Sequence, residues 1–173
     1  MKTLLLFRHA KSDWGVPDQQ DFDRPLNDRG KKTATQMGQW MKQQHIQPEW
    51  IVCSAAQRAR QTLALLRDSL TIPDTLVQFE ERLYLADLTS LFEILAQCPQ
   101  DMDQIMLVGH NPGLDELLSY LCGPDLPLSN KGKLMTTATL AQVCLPDDWL
   151  QLAPECGKLQ QIIRPSDLDS NQL

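Results

Sequence analysis

The stretch "TLLLFRHAKSDW", residues 3–14, carries the reading of this chain. Leu4, Leu5, Leu6 and Phe7 run without a polar break and stop at a guanidinium, Arg8, and an imidazole, His9. A short, continuously apolar run of this kind fits a strand covered on both faces. Arg8 and His9 then stand at its carboxyl end, the edge where open α/β sheets bind ligands.

Working outward, "EWIVCS" (49–54), "TLVQF" (75–79) and "QIMLVG" (104–109) repeat the strand pattern. Helix-period segments lie between them. Asp28 to His45 places Ala34, Met37 and Met41 on one stripe, with Asn27 as N-cap; Gln57 to Leu70 aligns Ala59, Leu63, Leu66 and Leu70. Leu88 to Gln97 aligns Leu88, Leu91, Phe92 and Leu95, and "HNPGLDELLSYL" offers Asn111 as a cap and Pro112 for a first helical position. The alternation predicts an α/β fold, a three-layer α/β/α sandwich on a mostly parallel central sheet. "KLMTTATLAQVCL" (133–145) and "KLQQIIRP" (158–165), joined by "PDDWLQLAPECG", read as antiparallel edge strands. One domain over 1–165 and a frayed polar tail over 166–173 complete the expected organisation.

The chain has 173 residues and a net charge of −6, which argues against nucleic acid as a partner. No apolar run approaches the ~20 residues of a membrane span, and the N-terminal run is too short for a signal peptide. Cys53, Cys98, Cys122, Cys144 and Cys156 form no C-x-x-C pair and are odd in number, which suggests reduced thiols and a cytoplasmic location.

Two of the three histidines, His9 and His110, follow apolar strands directly, whereas His45 ends a helix among glutamines and is expected in solvent. Arg24, in "DFDRPLNDRG", and Arg58, at the start of the helix after the second strand, feed loops toward the same sheet edge. Arg8, Arg24, Arg58 and His110 are therefore expected to converge on His9. Guanidinium groups present rigid planar donors that suit phosphate oxygens. Arg29, Arg60 and Arg67 are expected at the surface. Nucleotide-cradling glycine motifs, an H-E-x-x-H zinc motif and a G-x-S-x-G elbow are missing from the sequence, so neither metal nor cofactor is expected. A cysteine-phosphatase loop needs one residue more between cysteine and arginine than the four separating Cys53 from Arg58; Cys53 is expected to pack in the core.

"FRHAKSD", "RPLNDRG", "CSAAQRARQT" and "LVGHNPGL" together resemble the histidine phosphatase superfamily, with its phosphoglycerate-mutase-like fold, and are most similar to its SixA-type phosphohistidine phosphatases. The likeness spans residues 1 to about 122. It implies His9 as the nucleophile, taking up the phosphoryl group, with Arg8, Arg58 and His110 binding that group and Arg24 completing the pocket. Ala10 and Ala55 depart from the commoner glycine and proline of the family. Glu81, in "FEERLYLAD", resembles the general acid of the mutase branch, and it equally suits a surface ion pair with Arg82 or Arg60.

Phosphoryl transfer has a loose transition state with spread negative charge, so preorganised cations are its main need. A neutral His9 can attack, and neighbouring positive charge should lower its pKa; a protonated His110 would add to the cationic set. The leading expectation is a metal-independent phosphohydrolase acting on a phosphohistidine-bearing protein such as a phosphotransfer domain. The alternatives are a phosphatase for small phosphomonoesters such as sugar phosphates, which would need an acid for the departing alkoxide, and a non-catalytic phosphate-binding adaptor.

Overall fold

The computed structural model describes residues 1–169, and the first strand forms over Lys2–Arg8 (β1). It is followed by helix Asp28–Gln43 (α1), strand Trp50–Ser54 (β2), helix Gln57–Ser69 (α2), strand Val77–Glu80 (β3) and helix Leu88–Ala96 (α3). Strand Gln104–Gly109 (β4), helix Gly113–Cys122 (α4), strands Leu140–Leu145 (β5) and Lys158–Ile163 (β6), and the short helix Pro165–Asp169 (α5) complete it. The sheet runs β3-β2-β4-β1-β5-β6. The first four strands are parallel to one another, and β5 and β6 pair antiparallel on the far side of β1. This is the mixed α/β sandwich that the sequence predicts.

Strand pleating explains why the runs have no polar break. Leu5 and Phe7 of β1 point into one core with Met37 and Met41 of α1 and Leu63 and Leu66 of α2. Leu4 and Leu6 point the other way, onto Leu91 and Leu95 of α3 and Leu114, Leu117 and Leu118 of α4. All these residues are within 2% of complete burial, and truncating one such Leu or Met to Ala typically costs about 2–5 kcal/mol.

Four local expectations change. The segment 75–79 is a covered strand only in part: Asp74–Leu76 is a 3-10 turn and β3 is an edge strand with Gln78 and Phe79 exposed, Phe79 lying 4.2 Å beneath the Arg60 guanidinium. Helix α4 starts at Gly113, with Pro112 in the capping position and the Asn111 side chain accepting from the Asp115 amide at 3.2 Å. Residues 133–139 precede β5 as a loop. Ser166 to Asp169 is helical rather than frayed, anchored by the Arg164 amide donating to Asp167 at 2.8 Å; the rest of the expected tail, 170–173, lies outside the described residues. The connection 146–157 is tied down by Trp149, which is buried and donates from Nε1 to the Met102 carbonyl at 2.9 Å. All five cysteines are free, and Cys53 is fully buried, which pushes its thiol pKa up. No helix among the described residues is long and apolar enough to cross a membrane.

Candidate active site

Register brings the two histidines together. Phe7 stands opposite Val108 and Arg8 opposite Gly109, so the next step of both parallel strands is His9 and His110. The His9 amide continues the ladder, donating to the Gly109 carbonyl at 3.0 Å. The two rings lie 5.0 Å apart, tilted by 50°. Strand β2 lies on the other side of β4 and ends in Ser54, whose hydroxyl shares a 2.7 Å hydrogen bond with His110 Nε2.

The loop after His9 is clamped from two sides. The Ala10 amide donates to Thr62 Oγ1 of α2 at 3.0 Å, and the Lys11 carbonyl accepts from the Asn27 amide at 3.0 Å. Gly30 in the first turn of α1 packs against this carbonyl; a Cβ there would come 2.1 Å from Lys11 O. The Asp13 amide donates to the Pro25 carbonyl at 2.8 Å, which fastens the Arg24 loop alongside. Arg24 and Arg58 are both buried, at 8% and 3% exposure.

Asp21, in the 3-10 turn Asp21–Asp23, holds the two guanidinium groups together. Its Oδ1 accepts from Arg24 Nη2 at 2.6 Å and its Oδ2 from Arg58 Nη2 at 3.0 Å, while its carbonyl accepts from Arg58 Nη1 at 2.7 Å. Tyr84 donates its hydroxyl to the same carboxylate, with its ring edge-on to His110 at 5.4 Å. Burial favours the neutral acid, but the hydrogen bonds from Tyr84, Arg24 and Arg58 outweigh it and hold Asp21 well below the usual carboxylate range. Arg24 also donates to Ser12 Oγ at 2.6 Å and lies 3.5 Å over the Trp14 ring.

His9 Nδ1 lies 2.7 Å from the Ala10 carbonyl, an acceptor only, so the proton sits on Nδ1 and Nε2 keeps its lone pair. Arg58 Nε approaches that Nε2 at 3.4 Å. Burial, with Arg58, Arg8 and Arg24 adding to it and the Ala10 carbonyl opposing, lowers the His9 pKa from 6.5 to about 4. The neutral state expected for His9 is present, though burial leads the arginines as its cause. A protonated His110 would add to the cationic set, but the ring is not held in that state. Burial first, then His9 and Arg58, lower its pKa from 6.5 to about 3, so it is neutral at pH 7.

Arg8, His9, Arg24, Arg58 and His110 line one cleft of about 380 Å³, with Lys11, Ser12, Trp14, Leu85, Asn111, Lys133, Thr136 and Thr137. Two buried atoms of residues that line it, Arg8 Nε and His110 Nδ1, have no hydrogen-bond partner among the described residues. Orphaned polar atoms at such a place mark positions for ligand oxygens. Glu81 does not join them. It follows β3, which lies at the sheet margin two strands from β4, and it is exposed and outside the cleft lining. Arg82 pairs with Glu80 at 3.0 Å instead of Glu81, and Arg60 bonds the Ala55 carbonyl. No carboxylate lines the cleft among the described residues.

Asp21, Ser54, Tyr84 and the 133–139 loop are the parts that sequence reasoning missed. Asp21 left a weak signal, an acid three residues before Arg24. Ser54 left another, a hydroxyl at the end of an apolar strand. The loop left none, because its place depends on β5 pairing with β1, where the Ala138 amide bonds the Arg8 and His9 carbonyls at 3.1 Å.

Comparison with known proteins agrees with this geometry. The family model of the histidine phosphatase superfamily (branch 1) matches residues 4–105, and the chain belongs to that superfamily. It is 31% identical over 157 residues to the uncharacterized protein Rv1276c of Mycobacterium tuberculosis H37Rv, covering 88% of this chain and 95% of that one. It is 26% identical over 145 residues to the phosphohistidine phosphatase SixA of Escherichia coli K12, covering 83% and 86%. A solved structure described as the "putative phosphohistidine phosphatase SixA" of Agrobacterium tumefaciens superposes with a TM-score of 0.81 at 26% identity, covering 95% of this chain and 98% of that one. The protein is a phosphatase of this superfamily, with a SixA-like fold.

Proposed function

We propose that the protein hydrolyses phosphohistidine on a partner protein in the cytoplasm, with His9 as the nucleophile. The observation that carries this reading is the His9 imidazole held neutral, Nδ1 tied to Ala10 and Nε2 turned toward Arg58 in a cleft of cations. Arg8, Arg24 and Arg58 bind the phosphoryl oxygens, and the orphaned Arg8 Nε and His110 Nδ1 complete the set. Ser54 Oγ accepts from the Ala56 amide at 3.2 Å and shares a 2.7 Å hydrogen bond with His110 Nε2; in this reading Ser54 is the donor of that bond and the His110 proton is on Nδ1, available to a phosphoryl oxygen.

In the first step the Nε2 lone pair of His9 forms a bond to phosphorus as the P–N bond to the substrate imidazole breaks. The leaving nitrogen takes a proton from solvent. Water then attacks the phosphorylated His9, the new P–N bond breaks, and inorganic phosphate and neutral His9 result. Splitting one displacement into two is the gain of a covalent intermediate. Three guanidinium groups supply the charge stabilisation that phosphoryl transfer requires.

Two features support a phosphoprotein substrate. With no carboxylate on the cleft wall among the described residues, departure of an imidazole is better served than departure of an alkoxide, whose proton needs a positioned acid. The cleft mouth carries Trp14 and Leu85, 77% and 57% exposed, an apolar lip suited to a protein surface. Partner specificity such as a phosphotransfer domain belongs to this proposal.

The test is side-by-side turnover of a histidine-phosphorylated protein, p-nitrophenyl phosphate and a sugar phosphate, with EDTA present. Preference for the phosphoprotein is expected. Preference for the sugar phosphate, abolished in Glu81→Gln, would establish the small-molecule alternative, and absence of all turnover the adaptor.

A further inference from the structure

Beside the catalytic cleft lies a second cavity of about 260 Å³, which shares Lys11, Thr136 and Thr137 with it and extends to Arg29 and Lys131. We propose that this cavity is a docking trough for carboxylates on the protein that bears the phosphohistidine. The proposal rests on the phosphohistidine reading above and names how that substrate is recognised.

The trough concentrates positive charge beside the cleft. The chain holds 22 Asp and Glu against 16 Lys and Arg, yet no carboxylate lines either cavity among the described residues. Lys11, Arg29, Lys131 and Lys133 are exposed, make no ion pair among the described residues, and gather around two adjoining cavities. The loop carrying Lys131 and Lys133 is fixed at both ends by the buried Arg164, which donates to the Pro127 carbonyl at 2.6 Å and the Leu134 carbonyl at 2.7 Å. The cations are thus held beside the cleft without being neutralised.

Their mounting indicates what they meet. In the cleft, Arg24 and Arg58 are buried and braced by Asp21, the rigid arrangement that a compact phosphoryl group needs. In the trough the charges sit on exposed, flexible stems. Such charges attract a dispersed set of carboxylates over roughly a Debye length of ~8 Å and mainly set encounter and register. A second phosphate on a small molecule would call for the braced kind.

Two synthetic phosphohistidine peptides test this, one with glutamates flanking the phosphohistidine and one with glutamines in the same places. The wild-type protein is expected to show a KM about threefold to tenfold lower for the glutamate peptide, the range of a few exposed ion pairs. In Arg29→Gln/Lys131→Gln that difference closes, while the constants for p-nitrophenyl phosphate stay unchanged and show the fold intact. A difference that survives in the variant, or none in the wild type, overturns the trough. A variant-sensitive preference for fructose 1,6-bisphosphate over fructose 6-phosphate, with equal peptides, assigns it to a second phosphate and overturns it too. Turnover of p-nitrophenyl phosphate with neither peptide hydrolysed brings down the phosphohistidine reading itself, and the trough with it.

Discussion

The imidazole of His9 lies 5.0 Å from that of His110, and both are buried to within 7% of full enclosure among guanidinium groups. Two protonated rings at this distance would repel each other and the arginines. The pair is therefore stable only as two neutral imidazoles, which ties both catalysis and folding to pH.

In an NMR titration of the free protein, His9 is expected to stay neutral until the pH approaches about 4 and His110 until about 3. Unfolded, both would protonate near 6.5. The unfolded chain therefore binds more protons over that interval, and stability rises with pH across it. Stability is full above pH 6.5 and falls as the pH is lowered toward about 4. A group neutral in the fold and protonated in the unfolded chain contributes about 1.4 kcal/mol for each pH unit crossed. Denaturant unfolding at pH 7 and pH 5 checks the sign; equal stability at the two values would contradict it.

His9→Ala should remove covalent capture of phosphate from a radiolabelled substrate and reduce turnover at least about a thousandfold, the scale of losing a catalytic nucleophile. Label retained by the variant would place the nucleophile elsewhere.

Asp21→Asn removes the brace common to Arg24 and Arg58. The side chain is outside the cleft lining, so its effect is one of aim. We expect kcat to fall about tenfold to a hundredfold, as for other small misplacements of binding groups, with KM unchanged or lower because a negative charge has gone. A rise in KM at constant kcat would show that Asp21 acts otherwise.

Gly30→Ala puts a methyl group against the Lys11 carbonyl, 2.1 Å from where its Cβ must sit. The loop after His9 has to move. A loss of about 1–3 kcal/mol in stability is expected, with reduced turnover. Gly132→Ala, where a Cβ meets nothing within 4 Å but φ is +73°, should be milder and leave turnover intact.

Much of this was legible in the chain because β1 and β4 are apolar on both faces and end in imidazoles. The strand–helix alternation sends both strand ends to one edge of the sheet, and the folded sheet adds that the two strands are neighbours with Arg8 opposite Gly109. Glu81 shows where such reading stops. Its motif resembles that of a general acid, but Tyr84, three residues on, is the member of that segment that reaches the site, while Glu81 is exposed and outside the cleft lining. The protonation of His110 was hidden for a related reason: burial governs it, and no residue near it in sequence reports how deeply the end of β4 is covered. Asp21 escaped because one acid near one arginine is common, and only the folded loop reveals that it serves two.

Trp14 stacks its exposed indole 3.5 Å from the Arg24 guanidinium, whereas Trp149 is enclosed and Trp40 and Trp50 are half-covered and outside the cleft lining. A cation that close perturbs indole emission. An oxyanion drawing Arg24 toward itself would alter that stack, so occupancy of the cleft has an intrinsic optical signal, readable without any attached dye.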